Sequence, residues 1–216
     1  MTILTRPMLH LLTLPALALA TAVATATEEP EYQVIEKDGP FELRQYPPLL
    51  AAETLVTDAG FDDAGDIAFG RLFRYISGNN RSQQKIAMTV PVVQTAAGPD
   101  DGEKISMTAP VIQQPAGTGG YRVAFLVPAG YTFETVPQPL DPAVRIVATP
   151  ARLVAALRYS GRTSEDVHRK KDAALRAELA NRGLVAAGDA ITAQYDAPFI
   201  PGPFRRNEVL IPVARD

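Results

Sequence analysis

The sequence predicts a single α+β domain in which two similar halves, each mainly of antiparallel strands, carry one helix apiece. Three observations predict it. The order strand, long strand, helix, strand, strand occurs twice, over residues 32–114 and again over 121–213. The strand segments are short and are punctuated by Gly, Pro and Asp-Gly turns. One pattern also recurs almost unchanged, as Lys85-Ile86-Ala87-Met88-Thr89-Val90-Pro91-Val92 and Lys104-Ile105-Ser106-Met107-Thr108-Ala109-Pro110-Val111. Side-chain identity between the halves is otherwise poor, so the repeat rests on the order of elements. Two such halves bury their apolar faces by packing pseudo-symmetrically.

Residues 1–26 stand apart. Arg6 supplies a positive start, residues 9–23 form an apolar run broken by His10, Thr13, Pro15 and Thr21, and Ala24-Thr25-Ala26 offers a small-residue cleavage site. This reads as a secretory signal peptide. The run is shorter than the roughly 20 residues of a membrane span, so cleavage is expected over a retained anchor. The product is then a soluble monomer in a bacterial periplasm or outside the cell. A net charge of −3 gives no basic footprint for nucleic acid. Cysteine is absent, which excludes disulfides, thiolate metal sites, a cysteine nucleophile and covalent c-type haem attachment.

In chain order, Tyr32-Gln33-Val34-Ile35-Glu36 has strand character, Lys37-Asp38-Gly39-Pro40 turns, and Phe41-Glu42-Leu43-Arg44 alternates as a strand. Pro47-Pro48 interrupts, residues 49–57 resume in extended form, and the whole reads as an antiparallel hairpin. A helix follows to about Ser77, with Asp62 or Asp63 as cap. Phe61, Ala68, Leu72 and Ile76 share one side, with Gly65 and Phe69 beside them and Phe73 at the edge. Arg71 and Arg74 lie away from that side, and Gly78 stops the helix. Gly65 and Gly70 each cost about 1 kcal/mol relative to Ala, which predicts close approach of a neighbour.

The two Met-Thr-x-Pro-Val segments read as neighbouring strands joined by the turn Gly98-Pro99-Asp100-Asp101-Gly102. Each proline removes a ladder donor, so each needs an edge or bulge position. Residues 121–128 form a strand, 137–142 a proline-rich link, and 144–148 with 153–159 a second strand pair split at Thr149-Pro150. Thr163 or Ser164 caps a second helix, with Glu165 and Asp166 in its first turn, ending near Asn181 before Gly183. Residues 191–195 are a strand, 196–204 a loop holding Pro198, Pro201 and Pro203, and 205–213 the last strand.

An ordered set of segments then stands out. It comprises Tyr32-Gln33-Val34-Ile35-Glu36 with Phe41-Glu42-Leu43-Arg44-Gln45-Tyr46, residues 68–80, both Met-Thr-x-Pro-Val segments, Phe125-Leu126-Val127-Pro128, Tyr159-Ser160-Gly161, Tyr195-Asp196-Ala197-Pro198 and Arg206-Asn207-Glu208-Val209. In these residues the chain resembles the SOUL haem-binding protein family over almost all of its length after residue 26. The resemblance implies a distorted eight-stranded antiparallel β-barrel with two helices, from a duplicated β-α-β-β unit. It implies non-covalent binding of haem (haem b) or a related tetrapyrrole, as carrier or buffer. The alternatives are a binding module for another flat hydrophobic molecule, or a haem-modifying or hydrolytic enzyme on the same fold.

Haem needs an apolar slot, cations for two propionates and often an axial ligand. Phe69 and Phe73 are the aromatics to set against the macrocycle, with core packing as the alternative. Family members without a strong axial ligand use a cleft along the first helix with a basic residue near its end; the matching position is Arg74, and a guanidinium suits carboxylates. Basic positions of other members fall at Asp66 and near Ile200 here. A histidine that some members carry in the early strands has no counterpart in residues 32–57.

His168 is the one histidine after residue 26. It is a candidate axial ligand, or a half-buried structural side chain held through Nδ1 by Asp172 one turn on. Met88 and Met107 could touch or weakly ligate haem, or fill the core. Arg205, Arg206 and Glu208 read as structural. No nucleic-acid partner and no stable membrane insertion after signal removal are expected. An enzyme is not expected: H-E-x-x-H, P-loop and G-x-G-x-x-G patterns are absent, and Glu42 and Glu53 would serve as acid and base only if buried together.

Overall fold

The computed structural model describes residues 27–83, 102–117 and 119–214. The chain enters through β1 (Gln33–Asp38), turns at Gly39 and returns as β2 (Phe41–Tyr46). Gly39 has φ 53, a conformation that glycine adopts without steric cost. Pro47-Pro48 then end the ladder, and β3 (Leu49–Thr57) sets off toward the other end of the molecule. Helix α1 (Phe61–Ile76) follows, then β4 (Asn80–Arg81), β5 (Val111–Ala116) and β6 (Gly120–Leu126). The later part of the chain gives β7 (Gln138–Pro139), β8 (Val144–Thr149), β9 (Arg152–Ser160), α2 (Glu165–Asn181), β10 (Ile191–Gln194), a single 3₁₀ turn at Gly202–Phe204 and β11 (Arg206–Val213).

Nine of the strands form one curled antiparallel sheet in the order β1-β2-β9-β11-β10-β5-β6-β3-β8, while β4 and β7 pair separately. Without β1 the order is symmetric about the β10–β5 pair. β2 on β9 mirrors β8 on β3, and β9 on β11 mirrors β3 on β6. The expected α+β architecture with two helices is therefore present as a curled half-barrel of eight symmetric strands plus one edge strand. Among the described residues the pairing runs from β1 to β8 without closing.

The hairpin expected around the Asp-Gly turn is present as β1 on β2, while residues 49–57 leave it to pair as β3 with β6 and β8. The pairing expected of β8 with β9 is not made: β9 pairs with β2 and β8 with β3, so each connection crosses between the halves. Pro47-Pro48 and Pro150 stand at these crossings, where a missing N–H and a fixed φ end one ladder and let the chain turn into another.

The helices lie on one face of the sheet. Alternation along β6 sends Val123 and Phe125 beneath α1 with Ala68, Leu72 and Ile76, and Ala124 and Leu126 to the opposite face. Along β11, Val209, Ile211 and Val213 pack beneath α2 with Leu175 and Leu179, while Leu210 joins Tyr46, Val154 and Ile191 on the other side. Ser164 caps α2, accepting from the Val167 N–H. The cap expected from Asp62 or Asp63 is not made: Gly60 is the N-cap of α1, and both aspartates lie in the first turn, where they complement the helix dipole.

The close neighbour expected at the helix glycines is real at one of them. A Cβ on Gly65 would stand 3.2 Å from Gln113 Oε1, whereas at Gly70 the nearest atom is 3.8 Å away on Arg74. The first Met-Thr-x-Pro-Val segment lies outside the described residues. In the second, regular strand begins only at Val111. Before it, Ile105 N–H bonds to Ile76 O, and Thr108 makes a single bridge with Glu28.

Candidate functional site

Packing of α1 leaves an aromatic surface on its last turns. Ala64, Ala68 and Leu72 are fully buried against the sheet. Phe69 sits at the edge of that stripe, its ring meeting Phe125 edge-on at 5.4 Å. One turn later Phe73 lies nearly parallel to Phe69, with ring centroids 5.8 Å apart and 10° between the planes. The two remain 37% and 48% exposed, so the pair is anchored beneath and open above. Arg74 follows in the last turn, its side chain 61% exposed and only loosely engaged by Asp141 at 3.8 Å. Arg71 turns the other way, donating to Thr54 Oγ1 at 3.3 Å and Leu55 O at 3.1 Å.

The structure thus brings Phe69, Phe73 and Arg74 together. Met107 is 39% exposed on the extended segment leading into β5, and Met88 lies outside the described residues. His168 is elsewhere. Its ring stacks on Phe61 at 5.8 Å, and Phe61 opens α1. At 1.5 Å of rise per residue, that is roughly 12–18 Å along the axis from the two stacked phenylalanines. Its Nδ1 meets Thr192 Oγ1 at 2.7 Å, while Asp172, expected to hold it, pairs with Arg176. Burial lowers the His168 pKa against the opposing pull of Asp172 and Glu165.

The α1 face offers aromatic carbon and an accessible guanidinium on an open surface. Two concavities lie elsewhere. One, of about 370 Å³, runs between Pro30, Pro47, Pro48 and Tyr131, but Glu28, Glu29 and Glu31 also line it and would repel carboxylates. The other, of about 90 Å³ on the sheet face away from the helices, is too small for a porphyrin. Among the described residues no group of three or more His, Asp or Glu side chains is placed to hold a metal ion.

That second sheet face holds the polar centre of the fold. Arg44, side chain 3% exposed, donates twice to Glu208, at 2.6 and 2.9 Å, and also to Glu42 at 2.8 Å. Tyr195 donates to the same Glu208 carboxylate at 2.8 Å, and Arg44 lies 4.4 Å over the Tyr32 ring. Burial pushes the Tyr46 hydroxyl up to about 12. Burial also pushes Glu42 up, but hydrogen bonds from Lys37 and Arg44 outweigh it and hold the carboxyl below its usual range. Glu53 is engaged elsewhere, by Arg145 and Arg122. Glu42 and Glu53 therefore do not meet as an acid–base pair. Sequence reading placed Glu208 among structural residues without finding its partner, since Arg44 stands 164 positions away.

Comparison with known proteins agrees with this architecture. A human protein described as heme-binding protein 2 is 36% identical over 85 residues, which is 36% of this chain and 42% of that protein. The match thus spans less than half of the relative's length. The C-terminal domain of EcmrR superposes with a TM-score of 0.58 at 10% identity, covering 86% of this chain and 99% of that one. A hydrolase from Listeria innocua gives 0.47 at 11% identity over 88% and 94% of the two chains. Identities this low speak to the fold alone, and the second score is too low to carry an argument. The family model described as SOUL heme-binding protein matches residues 27–100 and 96–212. Matched in both halves, the chain belongs to the SOUL haem-binding protein family.

Proposed function

We propose that this protein binds haem or a related tetrapyrrole non-covalently on the exposed face of α1, as a carrier or buffer outside the cytoplasm, and that it acts as a binding protein rather than an enzyme. The observation that carries the reading is the open, nearly parallel Phe69–Phe73 pair with the accessible Arg74 guanidinium next to it. Aromatic stacking holds the macrocycle, and the guanidinium takes a propionate. Haem supplies its own iron chemistry when bound; the chain's residues bind and orient it.

With His168 turned into the protein, this reading puts the affinity in the macrocycle and its carboxylates. Haemin titration tests it. A saturable, shifted Soret band at micromolar haemin is expected, with metal-free protoporphyrin competing within about tenfold because a missing axial bond costs little. No spectral change would overturn the proposal. Displacement of haemin by flat apolar molecules without carboxylates, as strongly as by protoporphyrin, would favour a general hydrophobic-ligand module on the same face.

A further inference from the structure

Between β10 and β11 the chain runs from residue 197 to 204, Ala-Pro-Phe-Ile-Pro-Gly-Pro-Phe, without one polar side-chain atom. Phe199 is 84% and Phe204 78% exposed, more than any other large apolar side chain among the described residues. Such exposure has a cost in water, and scattered surface apolar residues rarely stand out this far.

The loop is also tightly built. Ile200 N–H donates to Ala197 O at 3.0 Å, Phe204 N–H to Pro201 O at 2.9 Å, and Arg205 N–H to Gly202 O at 3.0 Å. From beneath, the Arg205 guanidinium donates to Ile200 O at 2.7 Å and to Pro198 O. The carbonyls of Ala197, Pro198, Ile200, Pro201 and Gly202 are thus satisfied within the loop, and its prolines carry no N–H. Water makes no such demand on a surface loop; hydrocarbon does.

At the base of the loop the carboxylates are already engaged: Asp196, itself exposed, accepts from the Arg206 N–H, and Glu29 pairs with Arg206. A Cβ on Gly202 would lie 3.7 Å from Arg162 Cγ. Arg162 is exposed and makes no ion pair or side-chain hydrogen bond among the described residues. Arg206 also lies over the Tyr195 ring at 3.7 Å, so of the two arginines Arg162 is the one without a carboxylate partner among the described residues. This occurs on a chain whose net charge is −3. Apolar tips with an unpaired arginine one step back match the order of layers in an anionic bilayer: acyl boundary, then phosphate. No helix among the described residues is long and apolar enough to cross a membrane, so the contact is interfacial.

We propose that loop 197–204 inserts into the interface of an anionic lipid bilayer, with Phe199 and Phe204 at the acyl boundary and Arg162 at the phosphates. A protein partner would instead need directional hydrogen bonds, and this loop has few left to give. The inference does not depend on tetrapyrrole binding and is tested without it.

The chain contains no tryptophan, so Phe199→Trp in the full chain is a single emitter at the tip. Phe133→Trp, at another exposed phenylalanine, is the control. With vesicles of phosphatidylglycerol and phosphatidylcholine, the residue-199 emission should shift to the blue. It should be quenched by acyl-brominated lipid several-fold more than the residue-133 emission. Adding Phe204→Ser should lower apparent partitioning about tenfold, and Arg162→Gln should weaken it on anionic vesicles but not on neutral ones. Unchanged emission at residue 199, equal quenching at both positions, or a concentration-dependent blue shift without lipid (a second copy as partner) would each overturn the proposal.

Discussion

Replacing Glu208 by glutamine keeps the shape of the side chain and removes the charge against which Arg44 is buried. The two side chains are 4% and 3% exposed and share two hydrogen bonds, at 2.6 and 2.9 Å. Glu42 still neutralises part of the guanidinium, so the loss should sit at the lower end of the range for breaking a buried pair, about 3 kcal/mol. Urea unfolding reads this directly. With an m-value of about 2–3 kcal/mol/M, the midpoint should fall by roughly 1–1.5 M at unchanged m. The double replacement Arg44→Met with Glu208→Leu should cost well under the sum of the single changes, because no charge is then left buried. What remains is the loss of partners for Tyr46 and Tyr195, about 1–3 kcal/mol each at most. A midpoint change below about 0.3 M for Glu208→Gln, or strict additivity in the double variant, would refute the idea that this pair organises the sheet face away from the helices.

Other consequences follow from single contacts. The folded-state pKa of His168 is depressed by burial, so the unfolded chain binds its proton more readily. Stability should be fully present above about pH 6.5 and decline as pH falls below that; unfolding midpoints of His168→Gln should be flatter across pH 5–7, and an unchanged pH profile would contradict the burial. Gly70→Ala should stabilise by about 0.5–1 kcal/mol, since its Cβ has room, whereas Gly65→Ala must displace Gln113 and should gain nothing; thermal melts compare the two. Arg74→Gln should weaken haemin binding about three- to tenfold and reduce its dependence on salt, as removal of an exposed charge pair does; equal affinities across a salt titration would remove Arg74 from the site.

The two helices were legible in the sequence because each carries a periodic apolar stripe and a glycine stop, Gly78 with φ 117 and Gly183 with φ 68. The strands were legible too, nearly to the residue in β8, β9 and β11. The β1–β2 hairpin was legible from its Asp-Gly turn, but the long-range partners were not. Two strands separated by a proline look alike whether they pair with each other or part, and only the whole sheet decides that β2 meets β9 while β3 meets β8.

Distance along the chain hid the Arg44–Glu208 pair in the same way: each residue sits in a quoted motif, but nothing local joins them. For the site, helical spacing put Phe69 and Phe73 one turn apart beside Arg74, and the structure adds that their rings are parallel and open. Asp172 was a reasonable partner for His168 on helical spacing alone; tertiary packing of α2 against β10 supplied Thr192 instead. Residues 196–204 read as a proline-rich loop, and no sequence signal showed that its carbonyls would be satisfied internally and its phenylalanines left outside.

The most direct test of the haem-binding account is a haemin titration of Phe69→Ser/Phe73→Ser beside His168→Gln, each first shown to be folded by its urea midpoint. Losing both half-exposed rings, at about 1–1.5 kcal/mol each, should weaken haemin binding roughly 30- to 100-fold, while His168→Gln should leave affinity and Soret position unchanged. Unaltered binding by the phenylalanine variant, or a displaced Soret band in the histidine variant, would place the ligand somewhere other than the open face of α1.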